Sequence, residues 1–293
     1  MIESDISAGQ NSSSSSETQS ADTQSADTQS ADTHPANPRL SGIDSRLYLV
    51  TDTAQCESAG RSVAETVHAA VAGGVGIVQV RDKDIDDTAF YTLTREVIAA
   101  VDRAVAGTNR RVPVVLNDRV AVAQRLLAED EAVHIHVGQS DTSVEKVRGL
   151  VGPEPLIGLS AANSAEFDAA RASGVVDLIG IGPVYDTTTK TDAPDGIGPD
   201  RLGELVSEAG LPAVAIGGIS TDRAAELRGR GLVGICVVSA ICRAEDPRLA
   251  AEELLAEFGN GTADGKGSAD GDVSTDSNGT ADGDDSTTEG DAS

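Results

Sequence analysis

Eight short runs rich in β-branched residues recur along residues 46–239. They are 46–51 (RLYLVT), 75–80 (VGIVQV), 112–117 (VPVVLN), 133–138 (VHIHVG), 156–160 (LIGLS), 176–182 (VDLIGIG), 212–218 (PAVAIGG) and 232–239 (LVGICVVS). Between them lie helix-like, often Ala-rich stretches at 61–73, 86–106, 119–129, 143–150, 163–173, 199–209 and 220–230, and a last one at 247–258 follows the eighth run. Strict alternation of this kind implies parallel strands joined by helical crossovers. Strands that are apolar almost throughout are buried on both faces. Eight such units predict a single (β/α)₈ TIM barrel rather than an open doubly wound sheet. An open sheet also announces itself with a glycine-rich first turn, and residues 51–60 (TDTAQCESAG) lack one.

The two ends differ from this middle. Residues 1–45 are mostly Ser, Thr, Asp, Gln and Ala, with TQSAD repeats between Thr18 and Thr33, and residues 259–293 are mostly Gly, Asp, Ser and Thr. Neither segment has the apolar surface to offset the entropy of ordering, so both are expected to be disordered tails flanking a catalytic domain at 46–258. The formal net charge is −26; the first tail contributes −6, the second −8, and the domain keeps −12. Lysine is confined to Lys83, Lys146, Lys190 and Lys266. An acidic, lysine-poor surface suits solubility in high salt, a halophilic trait, and argues against a nucleic-acid partner, whose phosphates require a basic face. Cys56, Cys236 and Cys242 have no metal-ligand or redox spacing and fit a reducing compartment. No stretch approaches the length of a membrane span and no basic-then-apolar leader is seen, so the expectation is a cytoplasmic protein without a membrane partner.

In a barrel of this kind the chemistry sits at the carboxyl ends of the strands. Strand 2 runs into QVRDKD, with Gln79, Arg81 and Lys83 at alternate positions, a spacing that places them on one face and suits a polyphosphate. Strand 3 ends in Asn117 and Asp118, and strand 4 runs on to Asp141. Two carboxylates from adjacent strand ends suit Mg²⁺ that keeps water and binds substrate phosphate; taken alone, a strand-end Asp before a helix more often serves as its N-cap. His134 and His136 read as structural or as a polar lining of the mouth, since no further ligand accompanies them at zinc spacing. The loop after strand 6 carries Thr187, Thr188, Thr189 and Lys190, a hydroxyl-rich stretch able to cradle phosphate. Gly217–Gly218 after strand 7 lets a backbone amide approach an anion. Val238 and Ser239 after strand 8 precede a short helical turn whose N-terminus suits a phosphate.

These segments, read in order as RLYLVTD, GGVGIVQVRDKD, VVLNDRVAVA, IHVGQSD, IGLS, IGPVYDTTTKTDAP, AIGGIS and VVSAI over residues 46–247, resemble the thiamine-phosphate synthases. The resemblance implies that Gln79, Arg81, Lys83 and Asn117 bind the diphosphate of hydroxymethylpyrimidine diphosphate and that Asp118 and Asp141 hold magnesium. It implies that Ser160 serves the pyrimidine, that Lys190 reaches the diphosphate, and that Thr187, Thr188, Thr189, Gly218, Val238 and Ser239 hold the thiazole phosphate. Lys190, Arg81, Lys83 and Ser160 would then act in catalysis. The partners implied are those two small molecules; a homodimer is common among barrel enzymes of this size, although no stretch identifies an interface. Two departures stand out: the interval from Asp118 to Asp141 is about four residues longer than is usual in that family, within LLAEDEAVHIH, and AAN follows Ser160 where a Thr-His or Ala-His pair is common.

The reaction so implied is substitution at the pyrimidine methylene: the thiazole nitrogen attacks and diphosphate leaves. Such a reaction needs charge stabilisation and positioning rather than a general base, in keeping with the expected absence of any Cys–His or Ser–His pair at the strand ends. The competing readings are a thiazole tautomerase on the same barrel and a non-catalytic phosphate-binding relative.

Overall fold

The computed structural model describes residues 37–187 and 194–259. The expected tails, apart from 37–45 and Gly259, lie outside the described residues, and so do Thr188, Thr189 and Lys190. Eight strands close into a barrel in sequence order, each parallel to the next, with β8 returning to β1. They are β1 (Leu47–Val50), β2 (Ile77–Val80), β3 (Val114–Asn117), β4 (Val133–Val137), β5 (Ile157–Ser160), β6 (Leu178–Ile181), β7 (Ala213–Ile216) and β8 (Gly234–Val237). Around them run α1 (Thr53–Ser58), α2 (Val63–Ala72), α3 (Asp87–Val105), α4 (Val120–Ala128), α5 (Val144–Val151), α6 (Ser164–Ser173), α7 (Gly198–Ala209), α8 (Thr221–Ala224), α9 (Ser239–Cys242) and α10 (Pro247–Gly259).

Local chemistry explains most helix starts. Ser62 and Glu65 form a reciprocal capping box on α2, and Asp86, Ser143 and Asn163 cap α3, α5 and α6 through their side chains. Asp52 caps α1, a short helix in a segment from which the strand–helix pattern predicted none. The expected helix at 220–230 is reduced to α8 and a 3₁₀ turn at Ala225–Leu227; the glycines that follow, Gly229 and Gly231, adopt positive φ, which ends helical geometry.

The register fixes what faces inward. Gln79 lies opposite Val115, Val115 opposite His134, Asn117 opposite His136, and Ser160 opposite Gly180. In a parallel ladder such neighbours share a face. Tyr48, Val50, Ile77, Val115, Leu178, Val214 and Cys236 fill the barrel interior. A second, larger cluster fills the space between strands and helices, with Phe90 and Phe167 fully buried in it.

Residues 37–45, placed with the amino-terminal tail on composition, belong to the packed body. Leu40 and Ile43 pack against the inner cluster and close the end of the barrel opposite the mouth. Beside them the buried Asp177 accepts hydrogen bonds from Asn37 Nδ2 (2.9 Å), Arg39 Nη1 (2.9 Å), Arg148 Nη2 (3.1 Å) and the Ile157 amide (2.8 Å). A carboxylate only 1% exposed is tolerated when its lone pairs are satisfied in this way. Composition missed this because two apolar side chains suffice to plug a narrow opening.

His134 lies near that same end, where its Nδ1 accepts the Leu156 amide at 2.9 Å. Burial, aided by Arg111, pulls its pKa down to about 4. A histidine kept neutral by the fold stabilises it above the unfolded pKa of about 6.5, and that contribution is lost as pH falls from there toward 4. Thermal unfolding followed from pH 7 to pH 4 should therefore show a declining Tm. In His134→Gln, which retains a hydrogen-bond acceptor but no titrating ring, the decline should be smaller by on the order of 3 °C.

Candidate active site

Gln79 is buried in the barrel, its Nε2 donating to Tyr48 Oη at 2.8 Å. Because β2 ends at Val80, Arg81 and Lys83 belong to the following loop, so strand alternation does not account for the position of Lys83. The loop is held by its own hydrogen bonds. The Arg81 amide donates to Thr51 Oγ1 (3.1 Å), and Asp82 Oδ2 accepts from Thr53 Oγ1 (2.6 Å). Arg119 pins it from the far side, donating to Asp87 Oδ1 (2.8 Å) and to the Ile85 carbonyl (2.8 Å), while its guanidinium packs on the Phe90 ring. Sequence reasoning passed over Arg119; the available signal was a cation directly after LND in a chain whose preceding loop holds Asp82, Asp84, Asp86 and Asp87.

Lys83 thereby comes close enough to Asp118 to act on it electrostatically. Asp118 occupies the left-handed region, φ 61°, a conformation that costs a non-glycine residue energy and persists where its surroundings impose it. Its carboxyl meets those of Asp141 and the Asn117 amide side chain. Burial and the facing Asp141 push its pKa up to about 6, against the pull of Lys83 and Asn117. Asp141 in turn accepts the Gly138 amide at 2.8 Å. Neither aspartate caps a helix: α4 begins at Val120, with Arg119 at the N-cap and no side-chain cap bond, and Ser143 caps α5. The helix-cap reading of the two aspartates therefore does not hold, and their carboxyls face each other instead. Among the described residues no third Asp, Glu, His or Cys joins them in a metal-binding cluster.

A Ser–His pair does exist at the strand ends, contrary to the sequence expectation. His136 Nε2 lies 2.9 Å from Ser160 Oγ, and Gln139 Nε2 donates to the Ser160 carbonyl at 2.8 Å. The pair is 24 residues apart in the chain and becomes adjacent only through the β4–β5 register. The His136 ring fits because position 158 is glycine; a Cβ there would sit 2.3 Å from Nδ1. That Nδ1 is buried with no hydrogen-bond partner among the described residues, and burial lowers the ring's pKa to about 4. Among the described residues no carboxylate meets Nδ1, the position that the orienting group of a nucleophilic triad would occupy. Its geometry suits a neutral group that fixes the serine hydroxyl.

On the other side of the mouth, Gly218 has φ 63°, and a Cβ there would strike the Asp186 carbonyl at 2.7 Å and Tyr185 Cβ at 2.8 Å. The strand-6 loop is thus packed directly on the strand-7 turn, with the Tyr185 amide donating to the Gly217 carbonyl at 3.0 Å. Thr187 is half-buried at the end of the described part of this loop. Val238 packs against the inner cluster, and Ser239 opens α9, whose first turn has no side-chain cap. Lys83, Asn117, Asp118, Asp141, His136 and Ser160 are therefore one connected group, and Gly218 lies against the strand-6 loop.

A family model described as thiamine monophosphate synthase matches residues 47–241. The chain belongs to the thiamine monophosphate synthase family. It is accordingly a transferase of thiamine biosynthesis. Over 213 residues it is 42% identical to a thiamine-phosphate synthase of Psychrobacter, covering 72% of this chain and 94% of that one. Over 219 residues it is 36% identical to the enzyme of that name from Methanobrevibacter smithii, covering 75% and 98%. The solved structure of a thiamine phosphate pyrophosphorylase from Pyrococcus furiosus superposes with a TM-score of 0.64 at 30% identity, over 78% of this chain and all of that one. The segment between the end of α4 and the start of β4 carries Glu131, which pairs with Arg95 at 2.7 Å.

If His136 acts by fixing Ser160, the two substitutions will not add. His136→Leu should lower the synthase kcat/KM about tenfold, and His136→Leu in a Ser160→Ala background should cost little more than Ser160→Ala alone. Independent, additive losses in steady-state kinetics would separate the two residues.

Proposed function

We propose that this barrel mouth joins 4-amino-5-hydroxymethyl-2-methylpyrimidine diphosphate to 4-methyl-5-(2-hydroxyethyl)thiazole phosphate, forming thiamine monophosphate and releasing diphosphate. The observation that supports this reading is the convergence of Lys83, Asn117, the Asp118–Asp141 pair and the His136–Ser160 pair above one set of strand ends. Arg81, Lys83, Asn117 and Gln79 take the diphosphate, with Lys190 reaching it from the strand-6 loop. Ser160 orients the pyrimidine, and Thr187, Thr188, Thr189, Gly218, Val238 and Ser239 take the thiazole phosphate.

Two facing carboxylates, one with its pKa raised by burial and by the other, suit a hard divalent cation with oxygen ligands. Asp118 and Asp141 would hold Mg²⁺, which would supply charge neutralisation for the departing diphosphate. In the reaction the thiazole nitrogen forms a bond to the pyrimidine methylene carbon while that carbon's bond to the diphosphate oxygen breaks. The electron pair leaves with the diphosphate. Arg81, Lys83 and Lys190 stabilise the charge that develops there. The nitrogen lone pair is already available, so no side chain removes a proton to create the nucleophile. Neutral His136 keeps the Ser160 hydroxyl in one orientation and adds no cation beside the electron-poor pyrimidine. The site works in the cytoplasm, and the acidic, lysine-poor chain is suited to high salt.

Incubation with both substrates in potassium chloride, with diphosphate release as the readout, tests this proposal. Release should require both substrates, stop with EDTA and return with Mg²⁺; isomerisation of the thiazole without diphosphate release would overturn it. The metal assignment has a separate readout. Mg²⁺ should raise the Tm of the wild-type protein, and Asp118→Asn should abolish that rise and lower kcat by about 10² or more. A Tm response to Mg²⁺ that survives in Asp118→Asn would remove the metal from this pair.

A further inference from the structure

Arg223 belongs to α8, directly behind the strand-7 turn, and is in contact with two separate parts of the mouth. Its Nη1 donates to the Gly218 carbonyl at 2.7 Å. Its guanidinium carbon lies 4.5 Å from the centre of the Tyr185 ring, on the strand-6 loop. The same ring is held at its far end, where Tyr185 Oη donates to Glu226 Oε2 at 2.7 Å. The Tyr185 backbone is bonded to Gly217, and the bare Cα of Gly218 accepts the Tyr185 and Asp186 main chain at a distance no side chain would allow. One guanidinium therefore fixes the carbonyl of a glycine in the left-handed conformation and, through its face, the loop that leads two residues later to Thr187. A planar cation can do both at once; an ammonium cannot.

We infer that Arg223 is a positioning residue for the thiazole phosphate, clamping the strand-7 turn to the strand-6 loop so that Gly218 and Thr187 present one phosphate pocket. This rests on the assignment of that phosphate to Gly218 and Thr187. The contacts Arg223 makes are one Nη1 bond to the Gly218 carbonyl and a face on the Tyr185 ring, so its role in this proposal is to place the two segments rather than to bind the anion. The effect belongs to one substrate, since Lys83, Asp118, Asp141 and Ser160 lie on the other side of the mouth.

Steady-state kinetics of the full chain with each substrate varied in turn provide the test. Arg223→Ala should raise the KM for the thiazole phosphate about tenfold, with kcat and the KM for the pyrimidine diphosphate within about twofold of wild type. Inhibition by inorganic phosphate competing with the thiazole phosphate should weaken by a similar factor. Arg223→Lys should recover only part of the loss, and Tyr185→Leu should reproduce most of it. If Arg223→Ala does not fold, Arg223→Gln, which keeps a donor for the Gly218 carbonyl and loses the ring contact, supplies the same comparison. Full recovery by lysine would mean that charge alone matters and would overturn the clamp. Unchanged KM values, or equal increases in both, would overturn it as well. A wild-type protein that releases no diphosphate would overturn the underlying substrate assignment instead, and the clamp with it.

Discussion

The register of the closed parallel barrel is the constraint on which the rest depends. Each strand is bonded to both neighbours, so no strand can slide without breaking two ladders. A one-residue slip would turn an entire strand's inward set outward. Asn117, His136 and Ser160 come from three strands and lie together because successive registers carry one inward face around the barrel. Below them the interior is apolar and filled, so these groups form the floor of the mouth rather than the wall of a channel.

Electrostatics then separates the two ends of the barrel. At the closed end Asp177 is buried, charged and saturated with donors from Asn37, Arg39, Arg148 and a strand amide. At the mouth Asp118 faces another carboxylate and Asp141 has one amide donor. The same residue type is thus saturated with donors in one place and set against a second carboxylate in the other. The two inward histidines of β4 divide in the same way: both are kept neutral by burial, His134 bonded to a strand amide and His136 to Ser160. Surface ion pairs, such as those of Arg95 and Arg125 with Glu129, contribute little by comparison.

The loops at the mouth are held by arginines in a chain with few lysines. Arg119 braces the loop that carries Lys83, and Arg223 braces the turn that carries Gly218. In both cases the planar guanidinium satisfies backbone carbonyls while packing on an aromatic ring, Phe90 or Tyr185. Such fixed frameworks keep the cost of organising a polyanion site out of the binding step.

The sequence by itself determined the barrel, because eight apolar runs separated by amphipathic stretches leave few other ways to bury both faces of each strand. It also determined which strand ends are polar, since Gln79, Asn117, Asp118 and Ser160 interrupt patterns that are otherwise apolar. Only the tertiary structure decided that Asp118 and Asp141 face each other instead of capping helices, because that follows from the left-handed backbone at Asp118. Likewise, only β4–β5 pairing brings His136 to Ser160, and only folding brings Leu40 and Ile43 back to plug the barrel. Each of these depends on contacts between residues far apart in the chain, and no local periodicity records which distant segment will supply the partner.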